Sequence, residues 1–278
     1  MVVEAGAVTE ALPAGAPCWV ELATNDENRV AAFYAALLGW EYRVTVESAV
    51  ATGRYVVATR DGFSVAGMYP TEGPSGWVPH ITVSDTVSGA ERVRQLGGDV
   101  TAGPIELARE DSLVYALDPA GAPLVLRTPP VGWLFTTDDV GAYTSADLRT
   151  HDGPGADEFY RRLFGYGSEQ LGDGAEIDYA EWSLDGRPVL YRYVMGPEYP
   201  KDTPAHWLIY FIADPAEGTD ATAVRALSLG GGIVVEPHDT RLGRVAVLSD
   251  PCGAIFAVID HLDSPENRRA AVEDPDDD

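Results

Sequence analysis

Residues Cys18 to Trp40 read CWVELATNDENRVAAFYAALLGW, a run in which a half-buried strand gives way to an amphipathic helix. Val20, Leu22 and Thr24 alternate with Trp19, Glu21 and Ala23, so one face can pack on a helix while the other carries an indole and a carboxylate. Asn25 and Asp26 offer N-caps. Val30, Phe33, Tyr34, Leu37 and Leu38 follow at helical spacing, and Gly39 stops the helix.

Working outward, strand-like runs at Tyr42 to Val46, Tyr55 to Thr59 and Phe63 to Tyr69 complete a strand-helix-strand-strand-strand unit. A second unit starts with a strand at Trp77 to Val83 and a helix from about Asp85 to Leu96. Its remaining strands fall near Val100 to Leu107, Leu113 to Leu117 and Pro123 to Arg127. The stretch PPVGWLFTTDD then breaks all periodicity, so residues 129–140 read as an interdomain linker.

Beyond it the pattern starts again, with a strand at Tyr143 to Arg149, a helix at Asp152 to Phe164 and strands near Tyr166 to Leu171, Ile177 to Leu184 and Pro188 to Val194. A fourth unit takes His206 to Ile212, a helix from Pro215 to Leu229, and strands at Ile233 to Pro237, Arg244 to Leu248 and Ile255 to Asp260. The units match in order. Phe33-Tyr34 with Leu38-Gly39-Trp40 corresponds to Phe159-Tyr160 with Phe164-Gly165-Tyr166. Trp77-x-x-His80 corresponds to Trp207-x-x-Tyr210, and Asp118-Pro119-x-Gly121 to Asp250-Pro251-x-Gly253.

Composition bounds the partners. With 278 residues and 45% hydrophobic content, the chain can bury two ordinary cores. Its 44 acidic against 19 basic side chains give a formal charge of -25, which repels phosphate backbones and anionic lipid and attracts cationic small molecules. Nucleic acid and membrane are therefore not expected as partners. Two cysteines far apart, no signal-peptide pattern and no membrane-spanning run point to a cytoplasmic protein without a disulfide framework.

The motifs Trp19 to Leu22, Asp26, Phe33-Tyr34, Leu38-Gly39-Trp40, Val65-Ala66-Gly67, Pro204 to Trp207 and Tyr210 resemble those of the vicinal oxygen chelate superfamily. That group holds glyoxalase I, bleomycin-resistance proteins and extradiol dioxygenases. The resemblance covers nearly the whole chain and implies an α+β fold of four βαβββ modules forming two incomplete-barrel, glyoxalase-like domains. Those domains are expected at 17–128 and 141–262, between a flexible N-terminus at 1–16 and an acidic disordered tail at 263–278.

Metal-using members place a His or Gln on each module's first strand and a Glu on its last. The corresponding positions here are Trp19, Val78, Ser145 and Leu208, with Val125 and Ala257 at the Glu position, so neither a metal nor another cofactor is expected. Strand parity instead turns Glu21, His80, Asp147, Arg149 and Tyr210 into the clefts, and Tyr191 stands where the first half has Gly67.

The ligand-binding candidates are therefore Trp19, Glu21, Tyr69, His80, Asp147, Arg149, Tyr191, Tyr193 and Tyr210. They suit an aromatic small molecule, neutral or cationic. Members of this kind include drug-binding proteins and accessories of antibiotic biosynthesis, and an anthracycline-type ligand fits both. An accessory contact with a biosynthetic enzyme and a homodimer are compatible with that role. The alternative is an enzyme, either a lyase, isomerase or cyclase in which Glu21, His80 or Asp147 acts as general acid or base, or an oxygenase-like member with a noncanonical metal.

Overall fold

A computed structural model describes residues 12–46, 54–107 and 110–262. The expected acidic tail at 263–278, and residues 1–11 of the expected flexible N-terminus, lie outside the described residues.

The first half of the chain contributes β1 (Pro17–Thr24), α1 (Glu27–Leu38), β2 (Glu41–Val46), β3 (Arg54–Arg60), β4 (Phe63–Pro70), β5 (Gly76–Thr82), α2 (Thr86–Gln95), β6 (Asp99–Glu106), β7 (Ser112–Leu117) and β8 (Pro123–Thr128). The second contributes β9 (Tyr143–Thr150), α3 (Gly153–Phe164), β10 (Gly167–Gln170), β11 (Tyr179–Leu184), β12 (Arg187–Val194), β13 (His206–Ile212), α4 (Gly218–Ser228), β14 (Gly232–Asp239), β15 (Arg244–Ser249) and β16 (Ile255–Asp260). Each half forms one 8-stranded mixed sheet, ordered β2-β3-β4-β1-β5-β8-β7-β6 and β10-β11-β12-β9-β13-β16-β15-β14. This is the α+β arrangement of four βαβββ modules in two open, glyoxalase-like sheets.

Local chemistry sets the helix ends. Asp26 accepts from Arg29 N at 3.1 Å and Asp152 from Gly155 N at 2.9 Å, each capping one of the first free N–H groups of its helix. At the other ends Gly39 and Gly165 take left-handed φ of 72° and 81°, a conformation that lets the last turn close and that a Cβ would oppose. Between its caps α1 buries Val30, Phe33, Tyr34, Leu37 and Leu38. Each such side chain contributes about 1.5–3 kcal/mol on leaving water, so a charge at any of them would outweigh the helix propensity of the segment.

The densest packing groups the modules differently from the sheets. Among the described residues, one compact unit comprises those up to Trp19 with those of Pro79–Phe135 and Asp147–Trp207; the other comprises those of Val20–Val78 and Thr136–Ala146 and those from Leu208 onward. The first therefore draws mainly on the second and third modules, and the second on the first and fourth. In the second unit Tyr34 stacks on Trp40 with ring centroids 5.0 Å apart and meets Trp77 and Phe256 edge-on. In the first, Tyr160 takes the equivalent place against Phe159, Trp182 and Trp207.

Candidate functional site

The second half of the chain carries a tyrosine-lined sheet face. β9 and β12 run parallel with Asp147 opposite Tyr191 and Arg149 opposite Tyr193, while β11 sets Glu181 opposite Tyr191 and Tyr179 opposite Tyr193. Because side chains alternate along a strand, all six point to the same side. The rings of Tyr179 and Tyr191 stack at 5.6 Å with 10° between planes, and Tyr193 lies next in the row, 6.5 Å from Tyr179 and 6.4 Å from Tyr199.

Charge is placed among these rings. Arg149 Nη2 donates to Asp147 Oδ2 at 2.9 Å, Tyr179 Oη donates to Asp147 Oδ1 at 3.3 Å, and the guanidinium carbon of Arg149 lies 4.4 Å from the centre of the Tyr193 ring. Tyr193 Oη donates to Glu198 Oε1 at 3.0 Å. Burial, with the nearby Glu181 and Asp147 charges, pushes the Tyr191 hydroxyl up, and burial with Glu198 does the same for Tyr193, so both stay protonated donors. Burial and the Arg149 charge hold His206 below the ordinary imidazole range despite a supporting bond to the Pro204 carbonyl. The three central tyrosines are only partly buried, so a ligand can reach their rings.

The first half repeats this arrangement with smaller parts. Glu21 lies opposite Gly67 and Ala23 opposite Tyr69, the register of Asp147 with Tyr191 and Arg149 with Tyr193. Tyr55 Oη donates to Glu21 Oε2 at 3.1 Å, as Tyr179 does to Asp147. Burial first, then the Glu21 charge, raises the Tyr69 hydroxyl. Where the second half has a phenol and a guanidinium the first has Gly67 and Ala23, so the cationic neighbour that Asp147 has in Arg149 has no equivalent at the same register.

Trp19 is buried beneath rings of the chain itself. Trp133 and Phe135, from the segment expected as a linker, meet it edge-on at 5.3 and 5.4 Å. It is 1% exposed, so stacking of a ligand on it requires those rings to move. The segment is thus more than a tether. Cys18, next to it, is buried and its thiol is pushed up to about 11, which keeps it protonated and unreactive at neutral pH.

The other expected site residues lie on other strands. His80 is fully buried on β5, in register with Val125 of β8. Tyr210 is half-buried against an apolar cluster of Leu208, Val245, Val247, Ala257 and Ile259. Among the described residues no three His, Cys, Asp or Glu side chains gather in a way that could hold a metal ion. Val125 and Ala257, at the family's Glu position, are buried apolar side chains, so the residues present do not fit the divalent ion used by metal-dependent members.

Of the candidates named from sequence, Asp147, Arg149, Tyr191 and Tyr193 lie together on one sheet face; Tyr55, Tyr179, Glu198 and Tyr199 are not among the candidates. A signal for the first two exists: Tyr55 precedes Gly67 by the same interval at which Tyr179 precedes Tyr191. Glu198 and Tyr199 lie in a Pro- and Gly-bearing loop, where no periodicity assigns a face.

The chain is similar to several known proteins. CFP32 of Mycobacterium tuberculosis, which carries a glyoxylase name, is 32% identical over 254 residues, covering 88% of this chain and 94% of its own. The anthracycline biosynthesis protein DnrV of Streptomyces peucetius is 30% identical over 264 residues, covering 88% and 93%. No protein-family profile matches the chain. Among solved structures, the Mn(II)-bound glyoxalase of Novosphingobium aromaticivorans superposes with a TM-score of 0.63 at 14% identity, covering 90% of this chain and 83% of that one. The halotolerant catechol dioxygenase BphC gives 0.60 at 16% identity, covering 89% and 87%. At that identity the likeness is one of fold.

Proposed function

This chain belongs to the vicinal oxygen chelate superfamily, and we propose that it serves there as a metal-independent binding protein for an aromatic natural product, neutral or cationic. The observation that carries this reading is the partly exposed Tyr179–Tyr191 stack, continued by Tyr193, with Asp147 and Arg149 set among the rings. Aromatic pairs add about 0.5–1.5 kcal/mol each beyond area burial, and rings lose little entropy on binding. The formal charge of -25 favours a ligand with an amino group. Similarity to proteins of anthracycline biosynthesis supports a polycyclic ligand of that type.

In this reading residues 17–128 and 141–262 are the two glyoxalase-like domains of a cytoplasmic protein that sequesters a drug or holds a product away from a biosynthetic enzyme. Titration of planar tetracyclic quinones bearing amino sugars against intrinsic fluorescence tests it. Micromolar or tighter binding is expected, weakened about tenfold by Tyr191→Gly, a change equivalent to about 1.4 kcal/mol. Affinity no tighter than millimolar across the series overturns it.

One observation favours a second reading, a metal-free enzyme. The tyrosine–carboxylate pair recurs in both halves, as Tyr55–Glu21 and Tyr179–Asp147, and such a pair can move a proton. Here Glu21→Gln abolishes turnover and spares binding; unchanged turnover excludes Glu21 from the chemistry.

A further inference from the structure

Trp133 is held as a guest ring is held. It enters from a loop, with Val131 87% and Leu134 71% exposed on either side of it, and its backbone N–H donates locally to Pro130 O at 3.0 Å. The ring, by contrast, is gripped on several sides. Its Nε1–H donates to Cys18 O at 2.8 Å, its centroid lies 5.3 Å from Trp19 at 73°, and the guanidinium carbon of Arg127 sits 3.9 Å from it.

Part of the surround is held by bonds that do not involve Trp133. Arg127 is fixed by Asp111 through two hydrogen bonds, Nε to Oδ1 at 2.9 Å and Nη2 to Oδ2 at 2.5 Å, with both side chains only 7% exposed. Trp19 lies on β1 and Arg127 on β8, so two strands position the groups around the ring. An edge acceptor, a flat cation and an indole edge are together the chemistry that binds a planar, electron-rich ring with an N–H or O–H on its rim.

We propose that Cys18 O, Trp19, Arg127 and Asp111 form a subsite for such a ring, a phenol or an indole-like heterocycle, and that Trp133 is its built-in occupant, displaced when the ligand's ring enters. The identity of the natural ligand rests on the function proposed above; the existence of the subsite does not. Occupation by Trp133 reduces the apparent affinity to the intrinsic affinity multiplied by the fraction of time the subsite is open, so emptying it raises affinity.

Indole and 1-methylindole are the probes. Trp133→Ala should bind indole saturably and gain thermal stability from it, with 1-methylindole at least tenfold weaker because it cannot donate to Cys18 O. In the wild-type protein labelled with 5-fluorotryptophan, saturating 2-naphthol should shift the Trp133 fluorine resonance and open the 130–135 segment to chymotrypsin. That measurement needs no variant to fold. Equal affinity of Trp133→Ala for the two indoles, no binding of either, or an unmoved Trp133 resonance in the wild type at saturation overturns the proposal. If the subsite passes and no amino-sugar quinone binds the wild type, the proposed function falls and the subsite stands.

Discussion

Tyr34 and Asp250 lie 216 residues apart in sequence, and the phenol of one donates to the carboxylate of the other at 3.3 Å in a buried setting. The same bond joins Tyr160 to Asp118, also at 3.3 Å. Each aspartate belongs to an Asp-Pro-x-Gly turn and accepts two further backbone N–H groups, from Ala120 and Ala122 in one case and Cys252 and Ala254 in the other. The motifs repeated in the sequence are therefore two halves of one latch: the helix tyrosine of one module closes on the turn of another.

Tyr34→Phe and Tyr160→Phe each remove the donor and keep the ring. Loss of a buried hydrogen bond to a charged acceptor should cost about 1.5–3 kcal/mol, read as a lower urea midpoint with an unchanged denaturant slope. A loss below about 0.3 kcal/mol for both would show the latch to be energetically idle.

The aspartates also give stability a pH dependence of definite sign. Burial raises both carboxyl groups above the usual range, against the lowering effect of their hydrogen bonds, so the folded chain holds these protons more tightly than the unfolded chain. The stability they contribute is full below the ordinary value of about 3.9 and is lost as pH rises through the raised value. Asp250→Asn should flatten the stability profile above about pH 4, which urea unfolding at a series of pH values measures.

Trp77 Nε1 donates to Tyr34 Oη at 3.1 Å, extending the latch, whereas Trp207 Nε1, its counterpart, is buried and finds no partner among the described residues. Substitution by Phe removes the same N–H and the same ring area at both sites. Trp77→Phe is accordingly expected to cost about 1 kcal/mol more than Trp207→Phe in thermal or urea unfolding.

Asp147 and Arg149 form a largely buried ion pair, 3% and 12% exposed at the side chain. Removing one partner leaves the other charge buried without its counter-ion, so Arg149→Met should cost about 3 kcal/mol and Asp147→Asn a comparable amount. The double variant should lose much less than the sum, and a double-mutant cycle by urea unfolding reads the coupling directly.

Much of this architecture is legible in the sequence because it is written locally. Asp26 and Gly39 bound a helix whether or not anything packs on it, and period-two alternation puts Asp147 with Arg149 on one face of their strand and Tyr191 with Tyr193 on one face of theirs. The partnership of Tyr34 with Asp250 is not legible, because both residues stand in repeated motifs and no local pattern says which copy answers which. Trp133 and Phe135 escape for another reason: a segment without periodicity offers no face, so two rings that cover Trp19 look from sequence like part of a tether. Tyr179 is hidden within an ordinary strand and becomes visible only when its interval to Tyr191 is set beside that of Tyr55 to Gly67.

The grouping of the first and fourth modules bears on how the chain is born. Phe33 and Tyr34 leave the ribosome early, yet Phe256, which covers both rings, is made near the end. Roughly 130 residues separate Val78 from Leu208, and at about 5–20 residues per second their synthesis leaves that aromatic face uncovered for about 7–26 seconds. The unit built from the second and third modules can close first, while the opening helix waits for the last part of the message to be read.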